Sequence, residues 1–195
     1  AARALADDAP RLLVLPGSRP SEIRLMTPVY AETVTRLKAS VPGLQVAVVV
    51  AGTVAASVRA QVADWPIEAH LVEEDDKYAA MKAATVALAT SGTVSTELAL
   101  AGAPMIIAYR FQPLSYAIMR PFFTGKYATL FNHAADEEIA PEYIQKDATP
   151  EKLIPAVKRL LANPDARADQ SRRQTAALDL MGREGRDPSE IAADA

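Results

Sequence analysis

Short apolar runs that alternate with stretches of helical spacing constrain the fold of this chain more than any other feature. Apolar runs at residues 11–15, 44–50 and 86–89 have the length of buried strands, residues 67–72 predict a further strand, and helix-spaced apolar residues follow each of these segments. Residues 104–109 form one more apolar run. Regular alternation of strand and helix forces crossover connections and a parallel sheet. The sequence therefore predicts an α/β fold, a Rossmann-like parallel sheet flanked by helices.

Proline positions guide the prediction of helix starts. Thr27 precedes Pro28, which is typical of an N-cap followed by the first helical residue, so we predict a helix that begins there. Thr149 and Pro150 predict a second helix in the same way. Pro155 lies inside this second helix and is expected to kink or shorten it.

The last third of the chain has weaker patterns. Residues 127–132 predict a last short strand with Asn132 at its carboxyl end, and residues 141–145 predict a short helix. The remainder is polar and alanine-rich with few large apolar residues, so we expect a peripheral helix that reaches elsewhere. We accordingly divide the chain into a Rossmann-like domain, residues 1–161, and a C-terminal helical tail, residues 162–195.

Composition argues against several classes of function. The net charge of −3 argues against a nucleic-acid binder, which needs a clustered cationic surface. The chain has no cysteine, which excludes disulfides and thiolate metal sites. Its only histidines, His70 and His133, lie far apart without an acid at ligand spacing, so neither a metal nor another cofactor is expected. The chain begins without Met in alanine-rich sequence, and we expect it to be a piece of a longer protein.

The passage from strand to helix at residues 90–97 is the first candidate binding site. The first backbone amides of a helix lack partners and carry the positive end of its dipole, so Ser91, Gly92 and Thr93 suit a phosphate. Glu97 lies about one turn further in, where a carboxylate accepts hydrogen bonds from ribose hydroxyls in dinucleotide folds. The alternative is a capped helix with Glu97 in solvent.

The turn after the first strand, at residues 16–22, is the second candidate. Gly17 permits a sharp turn, Ser18 supplies a hydroxyl, and Arg19 carries a planar fork suited to two phosphate oxygens. The glycine pattern of a Walker or dinucleotide loop is missing, so the alternative is a simple turn beside an exposed arginine. Because both turns follow strands of one parallel sheet, we expect them at the same edge.

Residues 109–127 combine aromatic, apolar and cationic side chains without an acid. Arg110, Arg120 and Lys126 supply the positive charge. Such a composition suits a surface that meets anionic lipid head groups. The alternative is a helix docked on the sheet that carries three incidental bases.

Five short motifs, in this order and at these intervals, resemble the C-terminal half of lipid-A-disaccharide synthase. They are Pro-Gly-Ser-Arg at 16–19, Ser-Gly-Thr-x-x-x-Glu at 91–97, Pro-Met-x-x-x-Tyr-Arg at 104–110, Tyr-x-Thr-Leu-x-Asn at 127–132 and Pro-Glu-x-x-Gln at 141–145. The match runs from about Leu12 to Leu161. One departure follows Asn132, where the family usually has Leu-Leu-Ala-Gly-Arg and this chain reads His-Ala-Ala-Asp-Glu.

The resemblance implies a two-domain glycosyltransferase of the B type, in which this chain is the nucleotide-sugar-binding domain. That family transfers 2,3-diacylglucosamine from its UDP derivative to 2,3-diacylglucosamine 1-phosphate, and releases UDP. The implied partners are these two substrates, the protein's own N-terminal domain and a membrane surface, with a homodimer left open. The implied location is the cytoplasm, peripheral on the inner membrane of a Gram-negative bacterium.

The resemblance also extends the list of candidate residues. The predicted UDP-binding residues are Gly17, Ser18, Arg19, Ser91, Gly92, Thr93, Glu97, Tyr109, Arg110, Asn132, Glu142 and Gln145. The base for the acceptor hydroxyl is expected in the N-terminal half, so the chain alone should bind UDP without turnover. Alternatives are another UDP-sugar glycosyltransferase or epimerase, and a non-catalytic nucleotide- or membrane-binding interaction domain.

Overall fold

The computed structural model describes residues 9–50, 52–90, 92–111 and 126–182. Within these residues six parallel strands form one sheet in the order β3-β2-β1-β4-β5-β6. The strands are β1 (Arg11–Leu15), β2 (Gln45–Val50), β3 (His70–Glu73), β4 (Val86–Ala89), β5 (Met105–Tyr109) and β6 (Glu142–Ile144). The predicted Rossmann-like parallel sheet is confirmed.

Helices cover both faces of this sheet. They are α1 (Pro20–Ser40), α2 (Ala55–Ala63), α3 (Lys77–Ala83), α4 (Thr93–Leu100), α5 (Leu130–Ala135), α6 (Pro150–Ala162) and α7 (Pro164–Leu180). Side chains of α1, α2 and α6 pack on one face, and those of α3, α4, α5 and α7 on the other. Along β1, Leu12 and Val14 point to the first core and Leu13 and Leu15 to the second. Burial on both faces explains why the four inner strands, β1, β2, β4 and β5, are almost continuously apolar.

Helix α1 begins a full two turns before the predicted start, so the prediction that Thr27 caps it is wrong. Its N-cap is Arg19 and its first helical residue is Pro20, while Pro28 lies inside the helix. An interior proline costs a helix about 3 kcal/mol. Burial of side chains such as Ile23, at about 1.5–3 kcal/mol each, offsets that cost.

Helix α6 runs through Pro155 in the same way. It begins at Pro150, as predicted, and extends to Ala162, so Pro155 does not shorten it. Leu153 and Val157, on either side of the proline, are both fully buried in the first core. Apolar packing therefore sets the length of this helix.

The structure reverses two of the predictions for the last third of the chain. The predicted strand at residues 127–132 contains the start of helix α5, and the predicted helix at residues 141–145 contains strand β6. Strand β6 pairs with β5, with Ile107 opposite Glu142 and Tyr109 opposite Ile144. Its conformation is thus decided by a partner strand that is distant in sequence.

Helix α7 packs on its own sheet, so the expectation of a helix that reaches elsewhere is wrong for residues 164–180. Ala177 and Leu178 lie in the second core. The buried Gln170 side chain donates to the carbonyls of Met105 and Ile139 and accepts from the amide of Met105. Two buried glutamines and small residues give this helix a contact face that its apolar content does not reveal.

Candidate functional site

A cleft opens at the carboxyl edge of the sheet, between the neighbouring strands β1 and β4. The chain leaves these strands toward opposite faces, because α1 packs on one face and α4 on the other. Open parallel sheets bind their ligands in the crevice that such a divergence creates. The cleft has a volume of about 190 Å³, and the predicted residues that line it are Gly17, Ser18, Arg19, Gly92, Thr93 and Glu97.

The two predicted turns therefore share one edge and one cleft, as expected. Ser91, also predicted, lies outside the described residues. The cleft includes three charged residues that the sequence analysis missed: Glu22, Glu74 and Lys77. Glu22 stands three residues after the N-cap, the position of the acid in a capping box, and this signal could have identified it. Glu74 and Lys77 carry no comparable signal.

The turn after β1 is built around the carboxylate of Glu22. Its Oε2 accepts from the amide of Ser18 at 2.9 Å and from the amide of Arg19 at 3.2 Å. Gly17 has a φ of 115°, and a Cβ at this position would lie 2.5 Å from the same Oε2. Both the backbone conformation and the approach of Glu22 therefore require glycine.

The amides of Ser18 and Arg19 are therefore not open to an anion, since both already donate to Glu22. The guanidinium of Arg19 remains as the cationic group of the turn. Its Nη1 lies 3.3 Å from Glu22 Oε1, and the Arg19 side chain is 74% exposed. A guanidinium held on one side and open on the other can still bind an anion.

The N-terminus of α4 faces the cleft from the other side. Gly92 is the N-cap with a φ of 145°, and the Ser95 hydroxyl donates to its carbonyl at 2.7 Å. Thr93 and Val94 follow in the first turn, where backbone amides have no earlier carbonyl within the helix to bind. This end of the cleft therefore offers amide donors and the positive end of the helix dipole.

An ion-pair network fixes Glu97. Lys77 Nζ lies 3.0 Å from Glu97 Oε2 and 3.0 Å from Glu74 Oε1. Partial burial lowers the pKa of Lys77, but its bonds to Glu97 and Glu74 outweigh burial, so the net pKa is raised. The hydrogen bond from Lys77 lowers the pKa of Glu74, with a smaller contribution from the amide of Gly52. The network joins the loops after β2 and β3 to α4.

Tyr30 lies beneath the cleft and ties α1 to two strand ends. Its hydroxyl lies 3.1 Å from Thr90 Oγ1 and donates to the carbonyl of Ala108 at 3.2 Å. The residue is fully buried. Burial, reinforced by the charge of Glu22 and partly offset by the bond to Thr90, raises the pKa of Tyr30 above its ordinary value.

Asn132, Glu142, Gln145 and Arg110 lie outside this cleft lining, near β5 and β6. Asn132 is fully buried; its Oδ1 accepts from the amides of Ile139 and Ala140, and its Nδ2 donates to Ala140 and Glu142. These contacts hold α5 against the segment that leads into β6.

Glu142, Arg110 and Gln145 also bond within the chain. Glu142 accepts from the amides of Ala128 and Thr129 at the start of α5, at 2.6 and 2.8 Å. The guanidinium of Arg110 donates to the carbonyl of Ala148 at 2.7 Å. Gln145 has a positive φ of 55°, and its Oε1 accepts from the amide of Phe111.

Tyr109 connects this region with the cleft, because its hydroxyl donates to Glu22 Oε1 at 3.2 Å. Burial, followed by the charge and hydrogen bond of Glu22, raises the pKa of Tyr109. Across the described ranges, three or more histidines and acids do not cluster as a metal site would require. In the same ranges, helices fall short of the length and apolar content needed to cross a membrane.

Comparison with known proteins identifies the family. The sequence model of the lipid-A-disaccharide synthetase family matches residues 1–195. Lipid-A-disaccharide synthase of Rhodospirillum centenum is 43% identical over 192 residues, which cover 98% of this chain and 48% of that protein. The corresponding enzyme of Nitrobacter winogradskyi is 41% identical over 192 residues, covering 96% and 48%. The chain therefore spans about half the length of these curated relatives.

Solved structures show the same fold at low identity. A calicheamicin glycosyltransferase aligns with a TM-score of 0.60 and 20% identity, over 97% of this chain and 43% of that one. The UDP-GlcNAc 2-epimerase of Neisseria meningitidis aligns with a TM-score of 0.59 and 12% identity, over 90% and 45%. The fold agrees with these structures, and the sequence relatives decide the family. The chain belongs to the lipid-A-disaccharide synthase family, a family of glycosyltransferases.

Proposed function

We propose that this chain is the UDP-binding half of an enzyme that transfers 2,3-diacylglucosamine from UDP to 2,3-diacylglucosamine 1-phosphate. Family membership supports the reaction. The observation that carries the binding role is the cleft between β1 and β4, which unites Arg19 with the N-terminus of α4. The rest of the substrate site and the catalytic base belong to a second domain, because the chain spans half of its relatives.

In this proposal the diphosphate of UDP lies at the N-terminus of α4. The amides of Thr93 and Val94 and the guanidinium of Arg19 bind its oxygens. Negative charge builds up on the diphosphate as its bond to the anomeric carbon breaks, and donors fixed in advance stabilise that charge. Glu97, held by Lys77, accepts from the ribose hydroxyls.

The other predicted residues have a supporting role. Tyr109 bonds to Glu22, while Arg110, Asn132, Glu142 and Gln145 hold the neighbouring β5, β6 and α5 segments in place. Ser91, which precedes Gly92 in the sequence and lies outside the described residues, remains a proposed contact. Because the catalytic base is proposed to lie in the second domain, the chain alone should bind UDP and release no disaccharide product.

Two structural neighbours support the choice of ligand. The epimerase from Neisseria meningitidis was solved bound to UDP-GlcNAc, and a spinosyn rhamnosyltransferase with a TM-score of 0.58 was solved with thymidine diphosphate. Both proteins thus hold a nucleoside diphosphate on a fold of this type. The family assignment favours the synthase over another transferase, an epimerase or an interaction domain.

We propose that the enzyme works at the cytoplasmic surface of the inner membrane, because its proposed substrates carry acyl chains. Residues 109–127 are the proposed contact with lipid head groups, although residues 112–125 lie outside the described residues. Co-sedimentation with anionic vesicles tests this contact, and a loss of binding when Arg120 and Lys126 are both changed to Ala is the expected result. Sedimentation equilibrium tests whether the enzyme is a monomer or a homodimer.

Calorimetric titration of UDP into the 195-residue chain tests the binding role. We expect saturable binding at one site, weakened about tenfold or more by Arg19→Ala because a charge-assisted bond is lost. Arg24→Ala is the matched control, since Arg24 is exposed on the same helix. Absence of UDP binding, or equal affinity of the wild type and Arg19→Ala, would overturn the proposal.

Comparison of UDP-glucosamine with and without acyl chains tests the sugar assignment. In the complete enzyme, the diacylated donor should give the higher kcat/KM, because acyl chains add apolar contact area. Equal turnover of the unacylated donor would instead support another UDP-sugar transferase.

A further inference from the structure

Glu22 is the most completely bonded charged group of the cleft. The residue is only 4% exposed, and both carboxylate oxygens accept hydrogen bonds. Oε2 accepts from the amides of Ser18 and Arg19, and Oε1 accepts from Arg19 Nη1 and the Tyr109 hydroxyl. All four partners are donors, which is the pattern that an ionised carboxylate satisfies.

The Glu22 carboxylate occupies the position that an anion bound to the backbone amides of this turn would take. Two successive backbone amides converge on Glu22 Oε2, an arrangement that in other loops binds a phosphate oxygen. A phosphate at these amides would need to displace a buried carboxylate that also packs against Gly17. The internal anion therefore already occupies the amide donors of the turn.

We propose that Glu22 is a positioning residue for the nucleotide: it occupies the turn's amides and orients the Arg19 guanidinium, which alone presents the turn's cationic donors to the diphosphate. This inference rests on the proposed UDP-binding function. The Arg19 side chain is 74% exposed and long, so without its bond to Glu22 it would sample many rotamers. Glu22 thereby lowers the entropic cost of anion binding by Arg19.

A double-mutant cycle tests whether Glu22 acts through Arg19. Glu22→Gln keeps the side-chain shape, removes the charge and leaves one acceptor oxygen. We expect it to weaken UDP binding about tenfold in the wild type, and less than about twofold in an Arg19→Ala background. Equal losses in both backgrounds, or no loss in the wild type, would overturn the inference. Glu32→Gln is the control, because Glu32 is an exposed acid of the same helix that pairs with Arg36.

Amide hydrogen exchange gives a readout in the wild-type chain and needs no variant. We expect UDP to slow exchange at Thr93 and Val94, and to leave Ser18 and Arg19 unchanged because Glu22 keeps their amides. New protection at Ser18 and Arg19 on UDP binding would overturn the inference even if Glu22→Gln failed to fold.

A ligand-free comparison separates this inference from the proposed function. Without UDP, Glu22→Gln should speed exchange at Ser18 and Arg19 by about tenfold or more, while Glu32→Gln leaves it unchanged. Failure of UDP to bind the wild type would overturn the UDP-binding function. Unchanged exchange in Glu22→Gln would overturn the role of Glu22 whether or not UDP binds.

Discussion

At the scale of single residues, polar side chains define the shape of the cleft. Tyr30 fixes the ends of β4 and β5 from below, Glu22 closes the turn after β1, and Lys77 holds Glu97 at the rim. Each of these groups bridges segments that lie far apart in sequence. Replacing one of these polar side chains should therefore change the geometry of the cleft more than replacing an apolar residue nearby.

Tyr30→Phe tests the floor of the cleft. The substitution keeps the buried ring but removes the partner of Thr90 Oγ1 and Ala108. We expect a loss of about 1–2 kcal/mol in the free energy of unfolding, measured by urea denaturation. Tyr78→Phe, at a residue that is 53% exposed, should change the free energy of unfolding little. Equal effects of the two substitutions would show that the Tyr30 hydroxyl does not support the fold.

Glu97→Ala tests the predicted ribose contact. The wild type should bind UDP more tightly than 2′-deoxy-UDP, because the carboxylate accepts a bond from the missing hydroxyl. From the strength of a charge-assisted hydrogen bond, we expect the wild type to bind UDP about tenfold more tightly than 2′-deoxy-UDP. The variant should lose this preference. Titration of both nucleotides into both proteins measures it, with Glu32→Ala as the control. A preference for UDP that survives in Glu97→Ala contradicts the assignment.

At the scale of elements, α5 and β6 are segments too short for the sequence alone to predict their secondary structure. Strand β6 has three residues and α5 has six, too few for periodicity to distinguish the two states. Their conformations depend on the pairing of β6 with β5 and on the bonds from Glu142 to the start of α5. Strands β1, β2, β4 and β5 were predictable because burial on both faces makes them almost continuously apolar.

The start of α1 likewise depends on packing that local sequence signals do not show. Thr27 and Pro28 form a good local start signal, but Pro20 and the capping position of Glu22 form another one earlier in the chain. The burial of the intervening turns decides between them. That burial is a property of the packed sheet and cannot be derived from either signal.

Asn132→Asp tests the junction between α5 and β6. The amide donor to Ala140 and Glu142 becomes an oxygen, which places a second carboxylate beside Glu142 in a buried position. We expect a loss of about 2–4 kcal/mol in the free energy of unfolding, measured by urea denaturation. The control is Asn163→Asp at the N-cap of α7, where either residue caps well. A near-neutral Asn132→Asp variant contradicts this role.

At the scale of the whole molecule, the order of strands creates the cleft and α7 completes the sheet's second face. The crevice follows from parallel strands that diverge at β1 and β4, and it was therefore predictable from the alternation of elements. The occupation of the turn's amides by Glu22 and the docking of α7 were not, because each depends on polar contacts between side chains and backbone.

Gln170→Leu tests the docking of α7. The side-chain amide of Gln170 donates to the carbonyls of Met105 and Ile139 and accepts from the backbone amide of Met105, at 2.9 to 3.1 Å. Loss of these bonds should lower the free energy of unfolding by about 2–3 kcal/mol in urea denaturation. Gln61→Leu, on the surface of α2, is the control. If the two variants are equally stable, α7 does not depend on this contact.

A crystal structure of the chain with UDP would show whether the nucleotide binds in the cleft between β1 and β4. We expect diphosphate oxygens within hydrogen-bond distance of the Thr93 and Val94 amides and of the Arg19 guanidinium, with Glu22 still bonded to Ser18. A UDP molecule bound away from the cleft between β1 and β4, or a cleft that stays empty at saturating UDP, would contradict it.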